Sequence, residues 1–284
     1  MYSFDSSDYV LLDDNLSVLA NIPDSSVQLV YIDPPFNTGK VQRRESIKTV
    51  RSETGSRTGF KGASYETIRQ SASSYNDAFS DYWGFLAPRL EEAHRILRED
   101  GTLYLHLDYR EVHYAKVLLD ALFGQENFLN EIIWAYDYGA RSKKKWPAKH
   151  DNILVYARSQ KYFFDSEEVD REPYMAPGLV TPEKAEKGKL PTDVWWHTIV
   201  SPTGKEKTGY ATQKPEGILR RIITASSRPG DLVVDFFAGS GTTGAAAKKL
   251  GRRFLMVDES SEAFQVMRTR LDLIPSGRDT IFIE

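Results

Sequence analysis

The chain has 284 residues, 40% of them hydrophobic and 27% charged, the balance of an ordinary soluble globular protein. Its formal net charge is −3, and the absence of cysteine excludes disulfides, thiolate catalysis and Cys-ligated zinc. No apolar run approaches the ~18 residues of a membrane span, and MYSFDSSDYV lacks the basic start and apolar core of a secretory signal, so no membrane association and a cytoplasmic location are expected.

Residues 27–32, VQLVYI, read as a buried strand that stops at Asp33, Pro34, Pro35 and Phe36. Two consecutive prolines remove two backbone donors and fix two φ angles, and the residue before them is held extended. The result is a stiff acidic turn rich in free carbonyls. Residues 37–76 are polar and show no apolar period. They read as a long mobile loop, and residues 37–75 carry eight Lys/Arg, Arg43 and Arg44 among them, against three Glu. From Phe79 to Arg98 apolar residues recur at helical spacing, with Pro88 expected to kink or divide the helix. A strand over 101–108, a helix over 111–122 and strands over 131–136 and 152–157 follow.

The charge is segregated. Residues 138–150, YGARSKKKWPAKH, hold five basic residues and no acid, with Tyr138 and Trp146 interleaved. That pattern suits a polyanion with stackable bases, the plain alternative being a solvated loop. The five histidines show no ligand spacing, so no metal site is expected. Residues 159–212 turn rich in Pro, Gly, Lys and Glu, with only WWHTIV looking packed, and read as an insertion. Alternation then resumes: helix 215–225, strand 231–237, helix 242–250, strand 252–258, helix 261–271. Strand–helix alternation on both sides of the insertion predicts a doubly wound α/β sheet.

The stretch DFFAGSGTTG (235–244) lies between a strand and a helix. Gly239, Gly241 and Gly244 form G-x-G-x-x-G, and Asp258 ends the next strand. By itself this loop leaves three readings open: a nicotinamide or flavin dinucleotide, S-adenosylmethionine, or tight strand–helix packing without a ligand. It is not a Walker loop, because Ala245 and Ala246 stand where Lys and Ser/Thr are required. Only 40 residues follow Gly244, enough for one more strand and helix, so the other strands must come from the first half of the chain. The strand ending at Asp33 is then the expected neighbour of the strand ending at Asp235, with DPPF and AGSGTTG facing one cleft where the winding reverses. A rigid acidic cradle beside an adenosine-cofactor loop fits methyl transfer to an amino group. An exocyclic amine on a base is a poor nucleophile because its lone pair is delocalised. If the Asp33 carboxylate and the Pro34 carbonyl accept its two N–H groups, the lone pair is directed outward, and Phe36 offers a stacking face for a flipped base.

In this order the motifs resemble a DNA amino-methyltransferase of the β permutation class, whose members methylate N6 of adenine or N4 of cytosine. LLDDNLSVLANIPDSSVQLVYIDPPFNTG, ATQKPEGILRRII, VVDFFAGSGTT and FLMVD carry the likeness, which covers nearly the whole chain outside 37–76 and 160–205. The resemblance implies a Rossmann-like S-adenosylmethionine-dependent methyltransferase sheet with circularly permuted motif order. The catalytic domain is then 1–158 and 208–284, with 159–207 an inserted target-recognition region. Asp33, Pro34, Pro35 and Phe36 are the implied catalytic residues. Asp33, Gln213, Lys214, Pro215, Asp235, Phe237, Ala238, Gly239, Gly241, Thr242, Thr243 and Asp258 are the implied cofactor contacts, with Asp258 on the ribose. The plain reading of 213–215 is a helix start. Asp14 follows Asp13 where the family has Gly-Asp, which weakens a cofactor contact there.

DPPF favours adenine, with cytosine N4 as the alternative. The C5-cytosine class needs a cysteine nucleophile and is excluded. Duplex DNA is the implied partner, gripped by Arg43, Arg44, Arg141, Lys143, Lys144, Lys145 and Lys149. Trp146 either stacks or wedges at the flipped site or packs beneath Pro147, and Trp195 and Trp196 are expected in the insertion's own small core. The small recognition region is compatible with a homodimer, and a cognate restriction endonuclease acting separately fits the length of the chain. A catalytically silent DNA-binding module on this fold is the competing reading from another class. A dehydrogenase leaves DPPF and the basic loops unexplained.

Overall fold

The computed structural model describes residues 7–37, 40–51, 57–58, 64–77, 79, 81–137, 139, 141–201 and 203–284, the side chains of 40–51, 57–58 and 64–77 excepted. The chain forms two compact units, Pro35–Tyr82 and the remainder.

The larger unit begins with strand β1 (Ser7–Leu12), short helix α1 (Asn15–Leu19) and strand β2 (Val27–Ile32). The smaller unit holds β3 (Lys40–Arg51), β4 (Arg57–Thr58) and β5 (Ser64–Asp77), a sheet of order β3-β5-β4 with antiparallel pairing. The loop expected over 37–76 is thus corrected, for the described residues, to a long hairpin. Its backbone groups pair with one another in a ladder, which polar composition alone does not reveal. Next come α2 (Tyr82–Ile96), β6 (Leu97–Leu107), α3 (Val112–Phe123), β7 (Phe128–Ala135) and β8 (His150–Ala157). Pro88 lies inside one uninterrupted helix, neither dividing it nor ending it. The burial of Leu86, Leu90 and Ala93 on either side offsets the single lost N–H donor. After α4 (Pro182–Lys187) and β9 (Val194–Trp196), the chain completes α5 (Glu216–Ser226), β10 (Leu232–Asp235), α6 (Thr242–Lys249), β11 (Arg253–Asp258), α7 (Ser261–Asp272) and β12 (Asp279–Ile283).

The main sheet has nine strands in the order β12-β1-β11-β10-β2-β6-β8-β7-β9. All run parallel except β8, which pairs antiparallel to both neighbours. VQLVYI sits near the middle, buried at every position, which is why it reads as a continuous apolar run instead of alternating. Leu29 and Tyr31 of β2 join Val233, Phe254 and Met256 in a core closed by α5, α6 and α7. On β8, Tyr156 meets Phe123 of α3, ring centroids 5.6 Å apart. Helix α6 lies close to the sheet because its first turns are small. A Cβ on Gly244 would come within 3.0 Å of the Met256 side chain.

Three strands escape the sequence pattern. β1 and β12 pair with each other along one edge, and β9 pairs with β7 at the other. β9 comes from the stretch expected to be a separate insertion, yet its Trp195 is 6% exposed and belongs to the main core. Trp196, the next residue, is 77% exposed, which corrects its expected place in a small core of the insertion's own. Successive side chains on a strand point to opposite faces, so only one of the pair can face inward. Among the described residues no helix is long and apolar enough to cross a membrane.

Candidate active site

β10 and β2 are adjacent and parallel, with Val233 beside Leu29 and Val234 beside Val30. From this pair the chain winds outward in both directions, through β11 on one side and β6 on the other. Asp33 and the glycine loop therefore emerge together at the carboxyl edge of the sheet, at its switch point, as the sequence predicts.

Asp33 is partly exposed, and its Oδ2 receives a hydrogen bond from Lys214 Nζ. Its Oδ1 is buried and has no hydrogen-bond partner among the described residues. Pro34 is buried, and among the described residues no donor reaches its carbonyl. One carboxylate oxygen is thus anchored while two adjacent acceptors stay open. Pro35 and Phe36 follow as the first residues of the smaller unit.

The glycine loop is held from within. Gly241 has φ 69°, a left-handed conformation that favours glycine, and it ends the turn before α6. Asp235 is 2% exposed and accepts from Phe237 N at 3.0 Å and Thr243 Oγ1 at 2.6 Å. Burial pushes its carboxyl up to about 7 against the pull of those two hydrogen bonds, and the charges of Asp33 and Asp258 add to the rise. Asp258 accepts from Gly239 N at 2.8 Å and Ser260 N at 2.9 Å, fixing the loop to the next strand. Thr242 Oγ1 donates to the Lys214 carbonyl at 3.1 Å, and Ala238 N to Val257 O at 3.1 Å. The amides of Ser240, Thr242 and Thr243 have no partner among the described residues, leaving donors at the head of α6 for a polar group.

Lys214 belongs to both halves, its ammonium on the cradle and its carbonyl on the glycine loop. The amide of Gln213 is engaged locally, accepting from Thr208 N and Oγ1 at 2.8 Å each and donating to the Glu206 carbonyl at 2.6 Å. It braces the approach to α5, with Pro215 as the residue before the helix. Phe237 is partly exposed and lies against Phe85, ring centroids 5.9 Å apart.

Several supports are missing from the sequence reading. Asn15 Nδ2 donates to the Phe236 carbonyl at 2.8 Å, and Asn15 Oδ1 accepts from Arg89 Nε at 2.6 Å. Arg89 also pairs with Asp14, whose carboxylate caps α1 through Ser17 N. Arg270 Nη1 donates to Thr242 Oγ1 at 2.8 Å. Beneath the cradle, Tyr31 OH lies 2.8 Å from His106 Nδ1, His106 Nε2 3.4 Å from Asp151 Oδ2, and Tyr136 OH donates to Asp151 Oδ1 at 3.1 Å. Burial raises the Tyr31 hydroxyl well above its ordinary range, helped by the charges of Asp33, Asp235 and Asp151. Burial also acts to raise Asp151, but His106, Lys214 and Tyr136 together hold its carboxyl below the ordinary value. No periodic signal could mark this chain of contacts, since its members come from three strands and the residue after a fourth.

Of the residues expected on DNA, Arg141, Lys143, Lys144 and Lys145 are exposed and Lys149 partly so, and none has a carboxylate partner among the described residues. Trp146 is 95% exposed, which removes packing beneath Pro147 as its role. Arg43 and Arg44 lie on β3, with side chains outside the described residues, as is Tyr138.

The profile of a family described as DNA methylase, of the N6/N4 methyltransferases, matches residues 27–268. The DNA adenine methyltransferase YhdJ of Escherichia coli (strain K12) is 31% identical over 269 residues, covering 92% of this chain and 81% of that protein. The type II methyltransferase M.HpaI of Haemophilus parainfluenzae is 29% identical, covering 94% and 74%. Solved structures share the fold, two of them as follows. One is TTHA0409 from Thermus thermophilus in complex with S-adenosyl-L-methionine, a putative DNA modification methylase (TM-score 0.59, 21% identity, 98% of each chain). The other is the cytosine-N4-specific PvuII DNA methyltransferase (TM-score 0.60, 14% identity, 97% and 95%). An anchored acid with an open oxygen, set beside a glycine loop at the switch point of this sheet, thus coincides with a match across most of the sequence, and the chain belongs to the N6/N4 family of DNA methylases.

Proposed function

We propose that this chain is a site-specific, S-adenosylmethionine-dependent adenine-N6 methyltransferase acting on duplex DNA, with the target base flipped out of the helix. The observation that carries the reading is the cradle itself: Asp33 has one oxygen bonded to Lys214 and the other buried and open, next to the unbonded Pro34 carbonyl. An amine has two N–H groups to give, and these are two acceptors. Their hydrogen bonds localise the lone pair on nitrogen, and Asp33 Oδ1 can take up the proton the amine sheds. Lys214 keeps the carboxylate oriented. Phe36, three residues on, supplies the stacking face.

The glycine loop fits the cofactor. Its free amides at Ser240, Thr242 and Thr243 suit a carboxylate, and Asp258 stands where a ribose would be recognised. When bound, S-adenosylmethionine supplies an electrophilic methyl group on its sulfonium. The cradle precedes the glycine loop along the chain, which supports the β permutation class. Residues 159–207 would read the target sequence, and Arg43, Arg44 and the basic residues of 141–149 would meet the phosphates. DPPF and the adenine specificity named for YhdJ favour adenine. Cytosine N4 is the second reading, favoured by the fold shared with PvuII methyltransferase. A homodimer and a separately acting restriction endonuclease are further expectations.

The test is mass spectrometry of nucleosides from unmethylated DNA incubated with protein and cofactor. N6-methyldeoxyadenosine that disappears with Asp33→Ala supports the proposal. N4-methyldeoxycytidine transfers it to the second reading, and no methylated base from diverse DNA overturns it.

A further inference from the structure

Trp146 is the barest of the tryptophans, ahead of Trp196, which is 77% exposed. Trp134 and Trp195 are buried, with indole N–H groups bonded to the His197 and Thr192 carbonyls at 2.7 Å each. Trp146 keeps 95% of its surface in water. Leaving so large an apolar side chain bare forgoes its burial, which a partner covering the ring would recover.

The surroundings name the chemistry of that partner. Arg141, Lys143, Lys144, Lys145 and Lys149 lie in the stretch 138–150, which contains no acid, and none has a carboxylate partner among the described residues. A polyanion is indicated, and an apolar protein surface is not. The loop is also built and aimed. Lys144 N and Lys145 N both donate to Ser142 Oγ at 3.2 Å, folding the turn that precedes Trp146. Pro147 then holds Trp146 away from helical conformation.

The position of the loop completes the case. It leaves the carboxyl end of β7, which runs parallel to β2, so it rises from the same edge of the sheet as Asp33. Its base is closed by Tyr136 N donating to the Lys149 carbonyl at 2.9 Å. Tyr136, Asp151, His106 and Tyr31 then connect that base, side chain to side chain, to the strand that ends in the cradle.

We propose that Trp146 is the wedge of this enzyme: it enters the base stack and occupies the space the target base vacates when that base moves to the Asp33–Phe36 cradle. The assignment rests on duplex DNA being the substrate. An aromatic ring suits the task because it restores the stacking lost on extrusion without reading sequence. The cost it offsets is that of unpairing and unstacking, which is small when the target is already mispaired.

That last property separates a wedge from a residue that merely grips DNA. The site methylated by the wild-type protein is mapped first. Duplexes are then made with the target base paired normally, with the target opposite an abasic position, and with 2-aminopurine in place of the target. Single-turnover methylation is measured for the wild type, Trp146→Phe and Trp146→Ala, with S-adenosylhomocysteine binding as the check on folding. For Trp146→Ala the expected result is a loss of ~10-fold or more on the paired duplex, shrinking to ~3-fold or less opposite the abasic position. Trp146→Phe should retain most of the rate. The 2-aminopurine fluorescence should rise with wild type and stay low with Trp146→Ala. An unimpaired Trp146→Ala, or an equal loss on paired and abasic duplexes, overturns the wedge while leaving the substrate reading intact. If the wild-type protein methylates no DNA, the substrate reading fails and the wedge falls with it.

Discussion

The glycine loop and the basic loop emerge from the same edge of one sheet, yet they are built on opposite principles. Around the glycine loop nearly every polar side chain is already satisfied inside the protein: Asp235 by Thr243 and Phe237, Thr242 by the Lys214 carbonyl and Arg270. In the basic loop the charges point to water and Trp146 is bare. Under the proposed function the first region holds a small molecule in one geometry, and internal hydrogen bonds remove the freedom to do otherwise. The second then meets a charged polymer, whose phosphates are everywhere similar, and its groups are kept uncommitted. Asp33 belongs to both designs, with one oxygen anchored and one left open.

Removing the open acceptor should give the largest effect. Asp33→Ala is expected to lower the methylation rate by ~10²–10³-fold or more, with S-adenosylhomocysteine binding changed far less. Calorimetric binding alongside single-turnover rates would check this. A parallel fall in both would mean that Asp33 serves the cofactor more than the base.

The adjacent tryptophans of β9 offer the same contrast on the scale of stability. Trp195→Ala, deleting a ring from the main core, should cost ~3–5 kcal/mol in urea denaturation. Trp196→Ala, on the open face, should stay within ~0.5 kcal/mol. Equal losses would place Trp196 in a packed interface that the free chain lacks.

The interlocked region should also leave a pH signature. Asp235 is raised by burial from an ordinary 3.8 to about 7. Between those values the folded state binds more protons than the unfolded one, so stability is greatest below the lower value and falls as pH rises through the higher. The loss should amount to ~2–4 kcal/mol between about pH 4 and pH 8, and Asp235→Asn should flatten that part of the profile. Denaturation of both proteins across this range would decide it, and identical slopes would place the titrating group elsewhere.

The gentlest test addresses the uncommitted charges. Replacing Lys143, Lys144 and Lys145 together by Ala should reduce the magnitude of the slope of log K against log salt by up to ~2.7 for duplex DNA, with stability nearly unchanged. An unchanged slope would remove these residues from the phosphate contacts.

What the sequence determined by itself was local in origin. The strand ending in Asp33-Pro34-Pro35, the turn at Gly241, the small residues that seat α6 and the uncompensated charge of 141–149 each follow from neighbouring side chains and their backbone preferences. Order along the chain then sufficed to place the two motifs on adjacent strands, because so little sequence follows the glycine loop. Only the tertiary structure decided the rest, and for one reason: the partners are distant in sequence. Strands β1, β9 and β12 lie at or beside the sheet edges, and pairing with remote neighbours defines them. The hairpin of β3 and β5 is a ladder between polar strands that carry no apolar alternation. Asn15 reaches the Phe236 carbonyl across 221 residues, and Tyr31, His106 and Asp151 meet only because three strands lie side by side. A motif can state which groups chemistry needs, but the supports that aim them are contributed wherever the fold brings another strand or helix into reach.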